Sequence, residues 1–135
     1  MATELVSVAQ ILLAAVLGAA IGWERERRDR PAGIRTHILV ATGSALFTII
    51  GIELAPSNPA AIAAGIVSGI GFLGAGLIIH ESGGDVHGLT TAASIWGVAA
   101  VGTAIGAGFY PIALASGAIM FLAPFIPHLR KERKK

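Results

Sequence analysis

From Thr36 to Leu129 the chain carries not one Lys or Arg, and its only acids there are Glu53, Glu81 and Asp85. A water-soluble fold needs far more charge to cover its surface, about a quarter of all residues in an ordinary globular chain. Here charged residues make up 13% of the 135, hydrophobic residues 54%, and the mean hydropathy is +0.75. The sequence therefore predicts an all-α, polytopic bundle of membrane-spanning helices.

A helix crossing a hydrocarbon core of roughly 30 Å needs about 20 apolar residues. Segments of that kind run over 5–23, 36–54 and 60–79, and a longer one covers 89–126. Gly106-Ala-Gly-Phe-Tyr-Pro111 divides the long run, because proline suits the first turn of a new helix. Five helices result, over about 5–23, 36–54, 60–79, 89–106 and 110–126, within a transmembrane domain of residues 1–128. A basic tail, 129–135, follows. The first run lacks a basic segment before it and is followed by arginines, so it reads as a retained span and not a cleaved leader.

Charge sets the orientation. Arg25, Arg27, Arg28, Arg30 and Arg35 cluster between the first two spans, which places that loop in the cytoplasm. The N-terminus is then expected outside and the C-terminal tail, Arg130 to Lys135, inside. Four spans would put the tail on the wrong face. The pI near 9.5 is thus explained by topology and by contacts with anionic lipid, with no nucleic-acid partner implied. The absence of cysteine excludes disulfides and thiolate metal sites.

Glycine, at 18 residues, is abundant. Small residues four apart let helix backbones approach in lipid. Gly18 and Gly22, then Gly65 and Gly69, then Gly102 and Gly106 have that spacing, and Gly71, Gly74 and Gly76 extend the small-residue pattern in the third span. Packing within the chain and packing between copies in a homodimer or other homo-oligomer both account for it. Gly69-Ile-Gly-Phe-Leu-Gly74 also spells the dinucleotide-binding fingerprint. That fingerprint works only between a strand and a helix, and here it lies inside an apolar run.

Pro31-Ala-Gly-Ile-Arg-Thr-His-Ile-Leu-Val40, Gly43-Ser-Ala-Leu-Phe47, Val67-Ser-Gly-Ile-Gly-Phe-Leu-Gly-Ala-Gly76 and Gly88-Leu-Thr-Thr-Ala-Ala-Ser-Ile-Trp96 follow one another in order. With Glu24-Arg-Glu26 they closely resemble the MgtC/SapB family, over residues 10 to 110. The resemblance implies a multi-pass protein of the bacterial inner membrane tied to growth when magnesium is scarce and, in pathogens, to survival inside host cells. It further implies a modulator of membrane energetics or ion handling, with the proton-translocating ATP synthase as a candidate partner. Many members continue into a soluble C-terminal domain, which this chain is expected to lack.

Ionisable residues beside membrane spans are functional candidates by default. Glu24, Glu26, Arg35, Thr36 and His37 in the first inner loop, and Glu81, Asp85, Thr90 and Thr91 in the second, are the candidates for a cytoplasmic-face site. Thr36, Thr90 and Thr91 suit helix caps, and Arg35 suits bidentate capture of a carboxylate or phosphate. The two loops read as a faint repeat: Gly33-Ile-Arg-Thr36 aligns with Gly88-Leu-Thr-Thr91 at an offset of 55, and Glu26 with Glu81. His80, Glu81, Asp85 and His87 could offer ligands to a divalent ion, though an exposed polar turn is the blander account and no clear Mg2+ ligand set emerges. No cofactor and no catalytic constellation is expected. The leading function is a regulator that binds a membrane partner or ligand at its cytoplasmic face. The alternative is an oligomeric transporter or channel for Mg2+ or another cation, which would need polar groups through mid-membrane that the sequence supplies only as Ser and Thr hydroxyls.

Overall fold

The structure, a computed structural model, describes residues 2–80 and 86–126. Among them are five α-helices: α1 (Ala2–Arg27), α2 (Ile34–Leu54), α3 (Pro59–Gly76), α4 (Leu89–Gly106) and α5 (Tyr110–Leu122). A 3-10 turn, Ala123–Phe125, follows α5, and two-residue strands β1 (Ile79–His80) and β2 (Val86–His87) pair antiparallel between α3 and α4. The first four helices are each long and apolar enough to cross a membrane, and α5 is shorter at 13 residues.

α1 extends one turn beyond its apolar run, through Glu24 and Arg25, before it stops. The stop is a Schellman closure: Arg30 N–H donates to Arg25 O at 3.1 Å and Asp29 N–H to Glu26 O at 3.0 Å. Asp29 takes the left-handed conformation this closure needs, with φ 53°, which Asp tolerates better than most residues. The hairpin between α4 and α5 closes in the same way around Gly108, with Phe109 N–H on Ala104 O at 2.8 Å. Pro111 begins α5, and Pro124 ends it early: a proline has no N–H for the helix and its ring collides with the preceding turn, so the last residues tighten into the 3-10 turn.

α4 is the centre of the bundle and touches all four other helices. Its Val98, Val101 and Ile105 join Ala14 and Ile21 of α1, Ala41 and Ala45 of α2 and Ala113 of α5 in one buried core. Small residues set the spacing. A Cβ at Gly102 would overlap the Ala41 carbonyl of α2, and one at Gly106 would run into that of Ala45. Gly18 and Gly22 bring α1 equally close to the start of α2. A Cβ at Gly74 would make an ordinary contact with that of Ala92 of α4 at 3.8 Å, whereas Cβ atoms at Gly65, Gly69, Gly71 and Gly76 would meet nothing within 4 Å among the described residues. Among the described residues, no close helix contact is made at those four. The fingerprint at 69–74 is continuous α-helix, so the strand-turn-helix it would require is not there.

α2 and α4 begin at equivalent positions, directly after Gly33 and Gly88, in keeping with the offset of 55. Gly88 has φ 88° and lies so close to the Leu77 carbonyl that no side chain fits. Neither helix has a side-chain cap from its own first residues. The expectation that Thr36, Thr90 and Thr91 cap these helices is thus corrected: α2 starts two residues earlier than expected and α4 at Leu89 as expected, with Gly33 and Gly88 at the cap positions and the threonines inside the first turns.

Candidate functional site

The C-terminal turn of α1 and the first turns of α2 and α4 meet at one end of the bundle, the end that carries the arginine cluster. There four polar side chains join the three helices. Arg25 is buried, and its Nη2 donates to Thr91 Oγ1 of α4 at 2.9 Å. The Thr91 carbonyl in turn accepts the Ser94 hydroxyl at 2.8 Å. Ser94 Oγ lies 3.1 Å from Nε2 of His37 on α2, a side chain with no exposure at all. His37 Nδ1 sits 2.9 Å from Gly33 O, which can only accept, so the Nδ1 proton faces that carbonyl. In the neutral ring Nε2 then accepts, and the Ser94 hydroxyl divides one proton between His37 and Thr91.

Glu24 is buried beside Arg25, with 3% exposure. Arg28, one turn further on, forms an ion pair with it through Nε and lays its guanidinium over the Phe125 ring at 4.8 Å. Even so, neither Glu24 carboxylate oxygen receives a well-aligned hydrogen bond from a described residue. Burying a carboxylate costs several kcal/mol unless it is paired and hydrogen-bonded. Glu24 is paired but under-bonded, which is the feature that marks this end of the molecule chemically.

The other candidates fall into place around the cluster. Glu26 is exposed and reaches over to α2, where its Oε2 accepts the Ile34 N–H at 2.8 Å. It supplies the cap that the threonines do not. Arg35 is exposed on the first turn of α2, Thr36 is half-buried and Thr90 is exposed. Glu81 and Asp85 lie outside the described residues. Two participants, Arg25 and Ser94, were not among the sequence candidates. Arg25 had a signal: it lies seven residues after Gly18 and four after Ile21, on the helical stripe that packs, whereas a hydropathy reading ends α1 at Trp23. Ser94 had none, since a serine in an apolar helix is ordinary.

At the opposite end a second buried polar contact pins α1 to α4. Gln10 Nε2 donates to Ile105 O at 2.9 Å, a carbonyl that also accepts the Gly108 N–H at the end of α4. Between the two ends the buried polar groups of α2 are Ser44 and Thr48, and the Thr48 hydroxyl is satisfied by Ser44 O of its own helix at 2.8 Å.

Apolar helices of this length, joined by short turns and carrying their buried charge at one end, define a multi-pass helical membrane protein. The MgtC family profile matches residues 11–131, and the chain belongs to that family. It is 49% identical over 116 residues to Protein MgtC of Salmonella typhimurium, covering 86% of this chain and 50% of that protein. It is 42% identical over 113 residues to Protein SapB of Bacillus subtilis, covering 77% of this chain and 49% of the relative. It is also 42% identical over 124 residues to a protein of Escherichia coli named "Putative magnesium transporter YhiD", covering 85% and 57%. The chain thus spans about half the length of these curated relatives. No solved structure matches it.

Proposed function

We propose that the chain is the membrane part of a magnesium-linked modulator in the bacterial inner membrane. It binds a ligand or a membrane partner at the end where α1, α2 and α4 converge. That end faces the cytoplasm in this reading, because the arginine cluster sits there. The ATP synthase is the partner toward which the family resemblance points. The observation that carries the reading is Glu24: a buried carboxylate with unfilled hydrogen-bonding capacity, held in a three-helix polar cluster.

The second reading, a cation transporter, is favoured by the name of the Escherichia coli relative. It asks for polar groups in mid-membrane, where the α2 hydroxyl of Thr48 is already taken by its own helix. One experiment addresses both readings. Glu24→Gln should insert at normal abundance yet fail to support growth at low magnesium, while proteoliposomes of the wild-type protein should show no Mg2+ uptake above empty vesicles. Growth equal to wild type in Glu24→Gln, at matched abundance, would remove the cluster from function. Mg2+ flux abolished by that same substitution would establish the transporter instead.

A further inference from the structure

α2 presents a second face, opposite the one that packs on α1 and α4. Leu39, Gly43, Phe47 and Leu54 lie along it and line an open groove of about 770 Å3, with Gly65 and Gly69 of α3 on the other side. Ser44 is the only residue of the lining with a polar side chain, and it is buried. A Cβ at Gly43, Gly65 or Gly69 would meet nothing within 4 Å, so the floor of the groove is clear. Arg35 stands one helical turn before Leu39, in the same i, i+4 row as Leu39, Gly43 and Phe47. It is exposed and has no hydrogen-bond or ion-pair partner among the described residues.

We propose that this groove is a phospholipid site, with an acyl chain lying between α2 and α3 and the phosphate of an anionic headgroup held by Arg35. Three observations favour lipid. The row from Leu39 to Leu54 rises about 22 Å at 1.5 Å per residue. One leaflet of a roughly 30 Å core is about 15 Å deep, so an acyl chain of one leaflet lies within the row, with length to spare at its far end. The lining is apolar along both helices, with Ser44 buried, so it matches an acyl chain and offers no exposed polar side chain to a polar segment. The third observation is charge. A phosphate matches the rigid fork of an exposed arginine, and basic residues at the inner end of a bundle recognise anionic lipid. A second copy docking through α3 would bring Arg35 no counter-ion, because Pro59–Gly76 contains no acid.

Native mass spectrometry of the full chain tests this. The protein is released from mild detergent with equal amounts of phosphatidylglycerol and phosphatidylcholine bearing identical acyl chains. Wild type should retain phosphatidylglycerol about tenfold over phosphatidylcholine, the ratio expected from one good charge-assisted contact. Arg35→Gln should level the two lipids and Arg30→Gln should not. Gly69→Leu, whose Cβ meets nothing within 4 Å and whose longer side chain takes up groove space, should lose both. Should Gly69→Leu fold poorly, Phe47→Trp provides an independent reading: phosphatidylglycerol brominated in mid-chain should quench it beyond the background from Trp23 and Trp96. Equal retention of the two lipids by wild type, or a preference that survives Arg35→Gln, overturns the proposal. So does a lipid-free dimer that Gly69→Leu separates, which would give the groove to a second copy.

Discussion

α3 and α4 have the same length, 18 residues, and both are apolar enough to span a bilayer. Both carry a pair of glycines four residues apart. Yet half of α4 is buried within the chain, against 6% of α3. The difference lies in what the glycines face. Gly102 and Gly106 press α4 against the α2 backbone, whereas Gly65 and Gly69 open onto a groove. Hydropathy reports only that a segment prefers lipid or protein to water. In a membrane, where lipid tails are as apolar as leucine, that preference does not distinguish a central helix from a peripheral one.

The contrast breaks most visibly at Gly102. A methyl group there would overlap the Ala41 carbonyl, and backbone cannot rotate aside as a side chain can. Overpacking a well-filled core costs about 1–3 kcal/mol, and this site should lie at the upper end. Gly102→Ala is therefore expected to lower the unfolding midpoint in detergent by the largest margin of any single methyl addition in the spans. An unchanged midpoint would mean that α4 is not the fixed centre of the bundle.

A smaller effect is expected at Thr91, where α4 meets the polar cluster. Thr91→Val keeps the shape and removes the acceptor for Arg25 Nη2. Leaving a buried donor unsatisfied costs about 1–3 kcal/mol, and interhelical hydrogen bonds in membranes average toward the low end. A loss of about 1 kcal/mol is the expectation, read as a shift of the denaturation midpoint. Thr90→Val, on an exposed neighbour, serves as the comparison and should leave the midpoint in place.

The helical class was legible in the sequence because span length and composition belong to each segment by itself. The ends were less so, and for identifiable reasons. α1 runs on through Glu24 and Arg25 because both are buried where α1, α2 and α4 meet, a circumstance visible only once those helices are assembled. α3 stops at Gly76 and not at residue 79, since the backbone turns there into the short β1–β2 pairing. Of the candidate site, Glu24, His37 and Thr91 come together as buried groups and Glu26 joins as a cap. Arg35 stands apart from them on an exposed face. The sequence singles out Arg35 because it heads an apolar run; the structure puts the buried guanidinium ten residues earlier, at Arg25.

The smallest expected effect is the most discriminating, and it lies at Gly65. Alanine exceeds glycine in helix propensity chiefly because it restricts the unfolded chain, a gain of roughly 0.4–1 kcal/mol where the native backbone suits it. Gly65 is helical, and its added Cβ would touch nothing. Gly65→Ala should therefore raise the unfolding midpoint slightly, the opposite sign to Gly102→Ala under the same conditions. A methyl on the floor of a lipid groove shallows it without closing it, so phosphatidylglycerol retention should persist. If a second helix instead packed its backbone against Gly65, the same methyl would act as it does at Gly102. A falling midpoint that depends on protein concentration would then show that α3 is as tightly packed as α4, with its partner supplied by another chain.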